Sequence, residues 1–401
     1  MNPLYLSGFN VFLGVDRARL QVRDGIRAPD VEPQRFEIQP RNAHFDSVII
    51  DGHSGSLSLD AMKWLMRYNI PIFVLDYNGT LLSSTLPREP VNGPLKIAQV
   101  EAYEDSRKRF YIAKKLIEAK AQRTLDTMKW LELRYGKSDK KKIELDHELE
   151  RLEKSGDLRN LMMVEGRIAD VYWRYLQHIL PSKFGFVSRI RETHQRNASD
   201  PVNCLLNYGY AILESECRKA LNSVGLDPTI GFLHEPRQVK SALVYDFQEP
   251  FRWLVDTTVV SCLESRYFGK KNFFRTDDYV LRLRPEAMRK LIDTLRPRFN
   301  STVSYKGKNY SWDTVIQMKA QELANYIQEK RKEVNFDQPS PVLLRDDLQA
   351  IRNYILSLTT AEARKHGVGK STLHDLRKHA RNPEPFRVYK KVANRLARSR
   401  R

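Results

Sequence analysis

The apolar pattern of this 401-residue chain changes period at one place, and that change constrains the fold more than any single motif. Before Pro87-Arg88-Glu89-Pro90-Val91-Asn92-Gly93-Pro94, short apolar runs such as Val11-Phe12-Leu13-Gly14-Val15 and Ser47-Val48-Ile49-Ile50 alternate with Gly, Asp and Pro clusters. That is the pattern of short strands. One helix interrupts them, with Ser58 placed to cap Leu59-Asp60-Ala61-Met62-Lys63-Trp64-Leu65-Met66, and Asn78-Gly79 predicts a hairpin turn. After the Pro- and Gly-rich stretch, which can continue neither element, apolar residues recur every three or four positions.

The helical region predicts one helix over Ala102 to Leu133, a charge-dense exposed helix or loop over Lys137 to Lys154, and a continuous helix from Leu158 to Leu180. Asp200 can cap a helix that has Pro201 in its first turn and breaks at Gly225. Further helices are expected over Phe251 to Ser265 and Thr314 to Lys330, and a second linker at Asn335-Phe336-Asp337-Gln338-Pro339-Ser340-Pro341. The expected fold is therefore α+β: a small N-terminal β-rich domain (1–95), a large all-α domain (96–335) and a basic C-terminal helix-turn-helix domain (336–401).

Charge narrows the partner. With 68 Lys and Arg against 49 Asp and Glu, the net charge is +19, which points to a polyanion, most commonly nucleic acid. More than half of that excess, +10, lies in residues 341–401. There, Thr359 to Lys378 reads as helix, glycine turn, helix, with Ala363, Leu373 and Leu376 facing inward. Lys370, Ser371, Thr372, His374, Arg377, Lys378 and Arg381 are the candidate contacts to a DNA major groove. A nucleotide-binding loop at Gly369-Lys370-Ser371 is excluded, because the first glycine of that motif would fall on Arg364 and no strand precedes it. Three scattered cysteines, no signal-like N-terminus and no long apolar run predict a reduced, cytoplasmic protein without a membrane partner.

The chemistry centres on Gly231-Phe232-Leu233-His234, followed by Asp246 and Glu249, with Glu165 brought in by folding. His234 closes a Gly-bounded apolar run, and Asp246 and Glu249, three apart, share a face if helical. One nitrogen with several carboxylate oxygens suits Mn2+ or Mg2+ better than Zn2+. Singly, such a histidine is more often structural and such acids are surface charges. Their company in a basic chain favours a metal-dependent phosphoryl-transfer centre acting on DNA.

Glu165-Gly166, then Pro201-Val202-Asn203 with Leu206-Asn207-Tyr208-Gly209-Tyr210, then Gly225-Leu226-Asp227-Pro228 with Gly231 to His234, then Asp246 with Glu249-Pro250-Phe251-Arg252, resemble the CRISPR-associated spacer integrase family over roughly residues 5 to 335. The resemblance implies an N-terminal β domain used in dimerisation and a helical domain holding the active site. It also implies metal ligation by Glu165, His234 and Glu249, the expected catalytic residues, with Asp246 beside them. The stretch Glu235-Pro236-Arg237-Gln238-Val239-Lys240-Ser241 departs from the family's usual basic, serine-bearing sequence. The added basic tail looks like that of the casposases, relatives that integrate casposon transposons. The implied function is a metal-dependent integrase and endonuclease that joins the 3′-hydroxyl ends of a mobile element to double-stranded target DNA, as a homodimer or higher oligomer. The alternatives are a CRISPR-associated integrase that inserts spacers into a repeat array, and a non-catalytic helix-turn-helix DNA-binding regulator.

Overall fold

The strands of the first 85 residues are β1 (Pro3–Gly8), β2 (Val11–Asp16), β3 (Arg19–Arg23), β4 (Arg35–Ile38), β5 (Ser47–Gly52), β6 (Gly55–Leu57), β7 (Ile72–Leu75) and β8 (Leu81–Thr85), with helix α1 (Leu59–Arg67) between β6 and β7. They form two four-stranded sheets, ordered β1-β5-β7-β8 and β4-β3-β2-β6. In the first, β1, β5 and β7 are parallel and β8 is antiparallel.

Parallel strands covered on both faces need apolar residues at every position, and this chain supplies them. Leu6, Val48 and Ile72 point into a small core with Val11, Leu13, Leu20, Val22 and the Trp64 and Leu65 side chains of α1. Their neighbours Tyr5, Ile49 and Phe73 point the other way, into the large core of the helices. Ser58 caps α1 as expected, its hydroxyl accepting from the Ala61 N–H at 3.0 Å. Gly79 holds the turn into β8 at φ 79°.

The structure is a computed structural model that describes residues 2–26, 32–52, 54–76, 79–87, 92–135, 141–180, 182–186, 189, 198, 200–235, 241–264, 267–276, 280–338, 355–356, 358–365 and 368–381. Asn78, residues 88–91 and 339–341 of the two expected linkers, residues 137–140 and 236–240, and the Arg381 side chain lie outside these.

The helices that follow are α2 (Gly93–Glu104), α3 (Ser106–Tyr135), α4 (Lys141–Lys154), α5 (Leu158–Ile179), α6 (Pro201–Val224), α7 (Ala242–Gln248), α8 (Trp253–Glu264), α9 (Pro285–Asn300) and α10 (Trp312–Ile327). The single helix expected over Ala102 to Leu133 is broken at Asp105, whose carboxylate accepts from the Arg107 and Lys108 N–H groups and starts α3 afresh. The charge-dense α4 is not merely a solvated face, because Leu145 and Leu152 are buried and it packs on α5. α6 is apolar nearly all round and lies at the centre of the fold, in contact with α7, α8, α9 and α10. Asp200 caps it at 2.9 Å to the Asn203 N–H, and Gly225 ends it in the left-handed region.

Two antiparallel ribbons interrupt the helical part, β9 (Phe273–Arg275) with β10 (Leu281–Leu283) and β11 (Thr302–Tyr305) with β12 (Lys308–Ser311). The helical part is thus not all-α. The β11–β12 turn is made by Lys306 and Gly307, both at positive φ, the backbone of a tight two-residue hairpin. In the tail, α11 (Thr360–Lys365) and α12 (Lys370–Arg381) pack through Ala363, Val368, Leu373 and Leu376, all buried. Thr359 and Glu362 cap each other at the start of α11.

Candidate metal centre

Three segments meet beside the long helix α3. Helix α5, capped by Asp157, carries Glu165; α7 ends at Gln248, where Pro250 tightens the chain into a 3-10 turn beginning at Glu249; and residues 231–235 form a loop over α7. The change of winding at Glu249 separates it from Asp246, and the two acids do different jobs.

Asp246 is fully buried under the loop, and both of its oxygens are engaged there. Oδ2 accepts from the Phe232 and Leu233 N–H groups at 2.6 and 2.8 Å. Oδ1 accepts from the His234 N–H at 3.1 Å and faces His234 Nδ1 at 2.5 Å. Asp246 therefore stands behind His234 as its orienting carboxylate, and not beside it as a further ligand. A proton on Nδ1 leaves Nε2 with the lone pair a metal needs. The hydrogen bond to Asp246 raises the imidazole pKa, burial opposes it, and the charges of Glu249 and Glu165 add to the rise.

Gly231 makes this cradle possible, since a Cβ there would lie 2.7 Å from Asp246 Oδ2 and 2.8 Å from the Ala242 carbonyl carbon. Gly231→Ala is expected to lower stability by about 1–3 kcal/mol through overpacking, read as a lower denaturant midpoint. An unchanged midpoint would show that the loop yields freely.

Glu165 and Glu249 meet on one cation, the Lys120 ammonium of α3. It lies 2.6 Å from Glu249 Oε2 and is also hydrogen-bonded to Glu165 Oε1. Arg252 holds the other oxygen of Glu249 at 2.8 Å. Burial pushes the Glu249 carboxyl up, but Arg252 and Lys120 outweigh it and bring it down to about 2, so the group is ionised at neutral pH. Burial lowers the Lys120 pKa and the two carboxylates more than restore it, so the ammonium is kept.

The fold thus brings Glu165 and Glu249 together and turns His234 toward their charge. As they stand, no three His, Cys, Asp or Glu side chains among the described residues are gathered tightly enough to hold a metal ion. The donor chemistry nevertheless fits a hard divalent ion: one imidazole, two carboxylates and a cation already drawn between them.

Beside this point is a cavity of about 80 Å³, lined by Lys120, Glu165, Tyr172, Tyr210, Glu249 and Arg252 among others. Tyr172 donates to Asp256 at 2.9 Å, Tyr210 donates to its other oxygen, and the Arg252 guanidinium lies 4.2 Å from the Tyr210 ring centre. Sequence reasoning missed Lys120, one lysine among many on α3. The pairing of Tyr210 with Arg252 was hidden by a separation of 42 residues.

The tail residues divide. Lys370, Ser371, Thr372, His374 and Lys378 are exposed on α12, whereas Arg377 is half-buried and donates to the Leu358 carbonyl.

A family model described as CRISPR associated protein Cas1 matches residues 4–296. The CRISPR-associated endonuclease Cas1 1 of Archaeoglobus fulgidus is 30% identical over 356 residues, covering 84% of this chain and 99% of that protein. A Cas1 endonuclease of Thermus thermophilus is 29% identical over 66% of this chain and 78% of its own length. Among solved structures, a casposase bound to integration product is 40% identical, with a TM-score of 0.82 over 89% of this chain and 99% of that one. A CAS1 protein from Thermotoga maritima, 21% identical with a TM-score of 0.70 over 84% of this chain and 99% of that one, shares the fold. The chain belongs to the Cas1 family of CRISPR associated proteins and, within that superfamily, is a homologue of the casposases.

Proposed function

We propose that this protein is a metal-dependent DNA integrase that joins 3′-hydroxyl ends of a mobile element to target DNA by transesterification. The convergence of Glu165 and Glu249 on one cation beside an Asp246-oriented His234 carries this reading. The likeness to a casposase bound to integration product supports the choice of a mobile element over a repeat array. The CRISPR spacer integrase remains a second reading because the Archaeoglobus relative, a Cas1 endonuclease, is matched over 99% of its length.

In this reading His234 Nε2, Glu165 and Glu249 hold Mn2+ or Mg2+. Such an ion would supply Lewis acidity toward a phosphodiester and the attacking hydroxyl. The chain does the rest. Asp246 fixes the ring, the Glu249–Pro250 turn fixes the carboxylate, and Arg252 faces the charge that builds on the phosphate oxygens during in-line displacement. One phosphodiester replaces another, so neither ATP nor an enzyme-bound intermediate is required. The cysteines are poor nucleophiles: burial pushes the Cys204 thiol up to about 12 and the Cys262 thiol to about 11.

Duplex binding would come from the wider basic surface and from the exposed cations of α12, acting as a DNA-binding domain over residues 336–401. Phe9, Phe12, Ile26 and Phe36, exposed on or beside the β4-β3-β2-β6 sheet, offer a face for a homodimer.

The test is a duplex with free 3′-hydroxyl ends incubated with supercoiled plasmid and Mn2+. Joined product is expected, and chelation should abolish it. Lys370→Ala with Lys378→Ala should weaken DNA binding and flatten its salt dependence by about two counterions, with joining intact at saturating protein. A mobility shift without joined product would instead leave a DNA-binding protein that is not an enzyme.

A further inference from the structure

Lys120 is the least expected group at the centre. Its side chain is only 11% exposed, and the ammonium lies between carboxylates from two different segments, Glu165 of α5 and Glu249 of the 3-10 turn. Two carboxylates this close repel unless a cation separates them, and Lys120 is such a cation. A divalent ion needs the same oxygens. Once it is bound between them, a further positive charge at hydrogen-bond distance from both is strongly disfavoured.

The ammonium must then move. The open space next to it is the 80 Å³ cavity, whose wall also carries Arg123 and Arg252. The one further carboxylate in that wall, Asp256, already accepts from Tyr172 and Tyr210 and faces Arg252, so a third cation entering the space calls for another anion, and a phosphodiester is the anion this chemistry handles.

We propose that Lys120 is a built-in counterion to Glu165 and Glu249 that, when a divalent ion takes their oxygens, swings onto the DNA phosphate in the adjoining cavity. Metal loading and phosphate arrival are thereby coupled: neither ligand binds at full strength until the other is present. This inference rests on the metal-dependent reading above and adds to it an order of events.

The experiment is Mn2+ binding, followed by electron paramagnetic resonance of free ion, to the full-length native protein and to Lys120→Met, each with and without a duplex bearing a 3′-hydroxyl end. Without DNA, Lys120→Met is expected to bind Mn2+ about tenfold or more tightly than the native protein, because no ammonium competes. DNA should tighten Mn2+ binding to the native protein by roughly 5- to 150-fold and do so little or not at all in the variant, which should also join strands poorly.

Because the ion-free variant leaves two carboxylates without their cation, Lys120→Arg, which keeps the charge, is measured alongside and should restore the native, weaker Mn2+ affinity. Equal or weaker Mn2+ binding by Lys120→Met would overturn the proposal and make Lys120 a purely structural ion pair. Failure of the native protein to bind Mn2+ even with the duplex present would overturn the metal centre, and the counterion role with it.

Discussion

His234→Ala is expected to lower the rate of strand joining by about 10³-fold or more, equivalent to about 4 kcal/mol of transition-state stabilisation, while DNA binding measured without divalent ion stays within about twofold. The ring is the only nitrogen donor in the proposed set, and the Asp246–His234 hydrogen bond presents it with one defined tautomer. Its side chain is 46% exposed, so its removal empties no core and the fold should be retained. Glu249→Gln should give a loss of the same order. It is preferred to Ala because Glu249 partners both Arg252 and Lys120, and complete removal would take the carboxylate from Arg252 and leave Lys120 with Glu165 alone. In the proposed reading most phosphate contacts that position a duplex come from the wider basic surface, so ion-free binding and chemistry should separate. The measurements are single-turnover joining with saturating protein and a parallel gel-shift titration. Joining at the native rate by both variants would sink the site assignment.

The second large effect concerns a residue that should touch neither ion nor DNA. Asp246→Ala removes the acceptor of three backbone N–H groups and the partner of the imidazole, and the carboxylate and the Phe232 and Leu233 N–H groups are buried. Each unmatched buried donor costs about 1–3 kcal/mol, and partial relaxation of the loop should leave a net loss of about 3–5 kcal/mol. Asp246→Asn is the finer probe. In either orientation its amide NH2 faces donors: Phe232 and Leu233 N–H in one, His234 N–H and the ring in the other. When the NH2 faces the ring, it favours a bare Nδ1 and a protonated Nε2, the tautomer that cannot ligate. The Asn variant should therefore fold, with a smaller loss in denaturant midpoint, and bind Mn2+ about 10- to 100-fold more weakly. Native Mn2+ affinity in the Asn variant would show that Asp246 is only a loop anchor.

What could be read from the sequence was what is decided locally. Ser58 before an apolar helix and Asp200-Pro201 before α6 act within one helical turn of themselves, and Gly225 needs only its own φ. The His-loop and its acids were legible as a group, because Gly231, His234, Asp246 and Glu249 fall within 19 residues. Their division of labour was not. An i, i+3 pair shares a face only while the helix continues, and Pro250 changes the winding at Glu249, so one acid turns under the loop and the other toward α3. Lys120 was illegible because a lysine's significance lies in its partners, here 45 and 129 residues away. The ribbons were missed for a related reason: three- and four-residue strands are too short to show a period, and only the Lys306-Gly307 turn marks one of them.

The sheet β1-β5-β7 gives Leu6, Val48 and Ile72 to one core and Tyr5, Ile49 and Phe73 to the other. Such strands have no spare face. Recombination at the Pro87–Pro94 stretch would bring foreign helices against Tyr5, Ile49 and Phe73, so the N-terminal portion and the helical body are bound to be inherited together. Ala363, Val368, Leu373 and Leu376, by contrast, meet within a span of 14 residues, so a change among them is felt by α11 and α12 first.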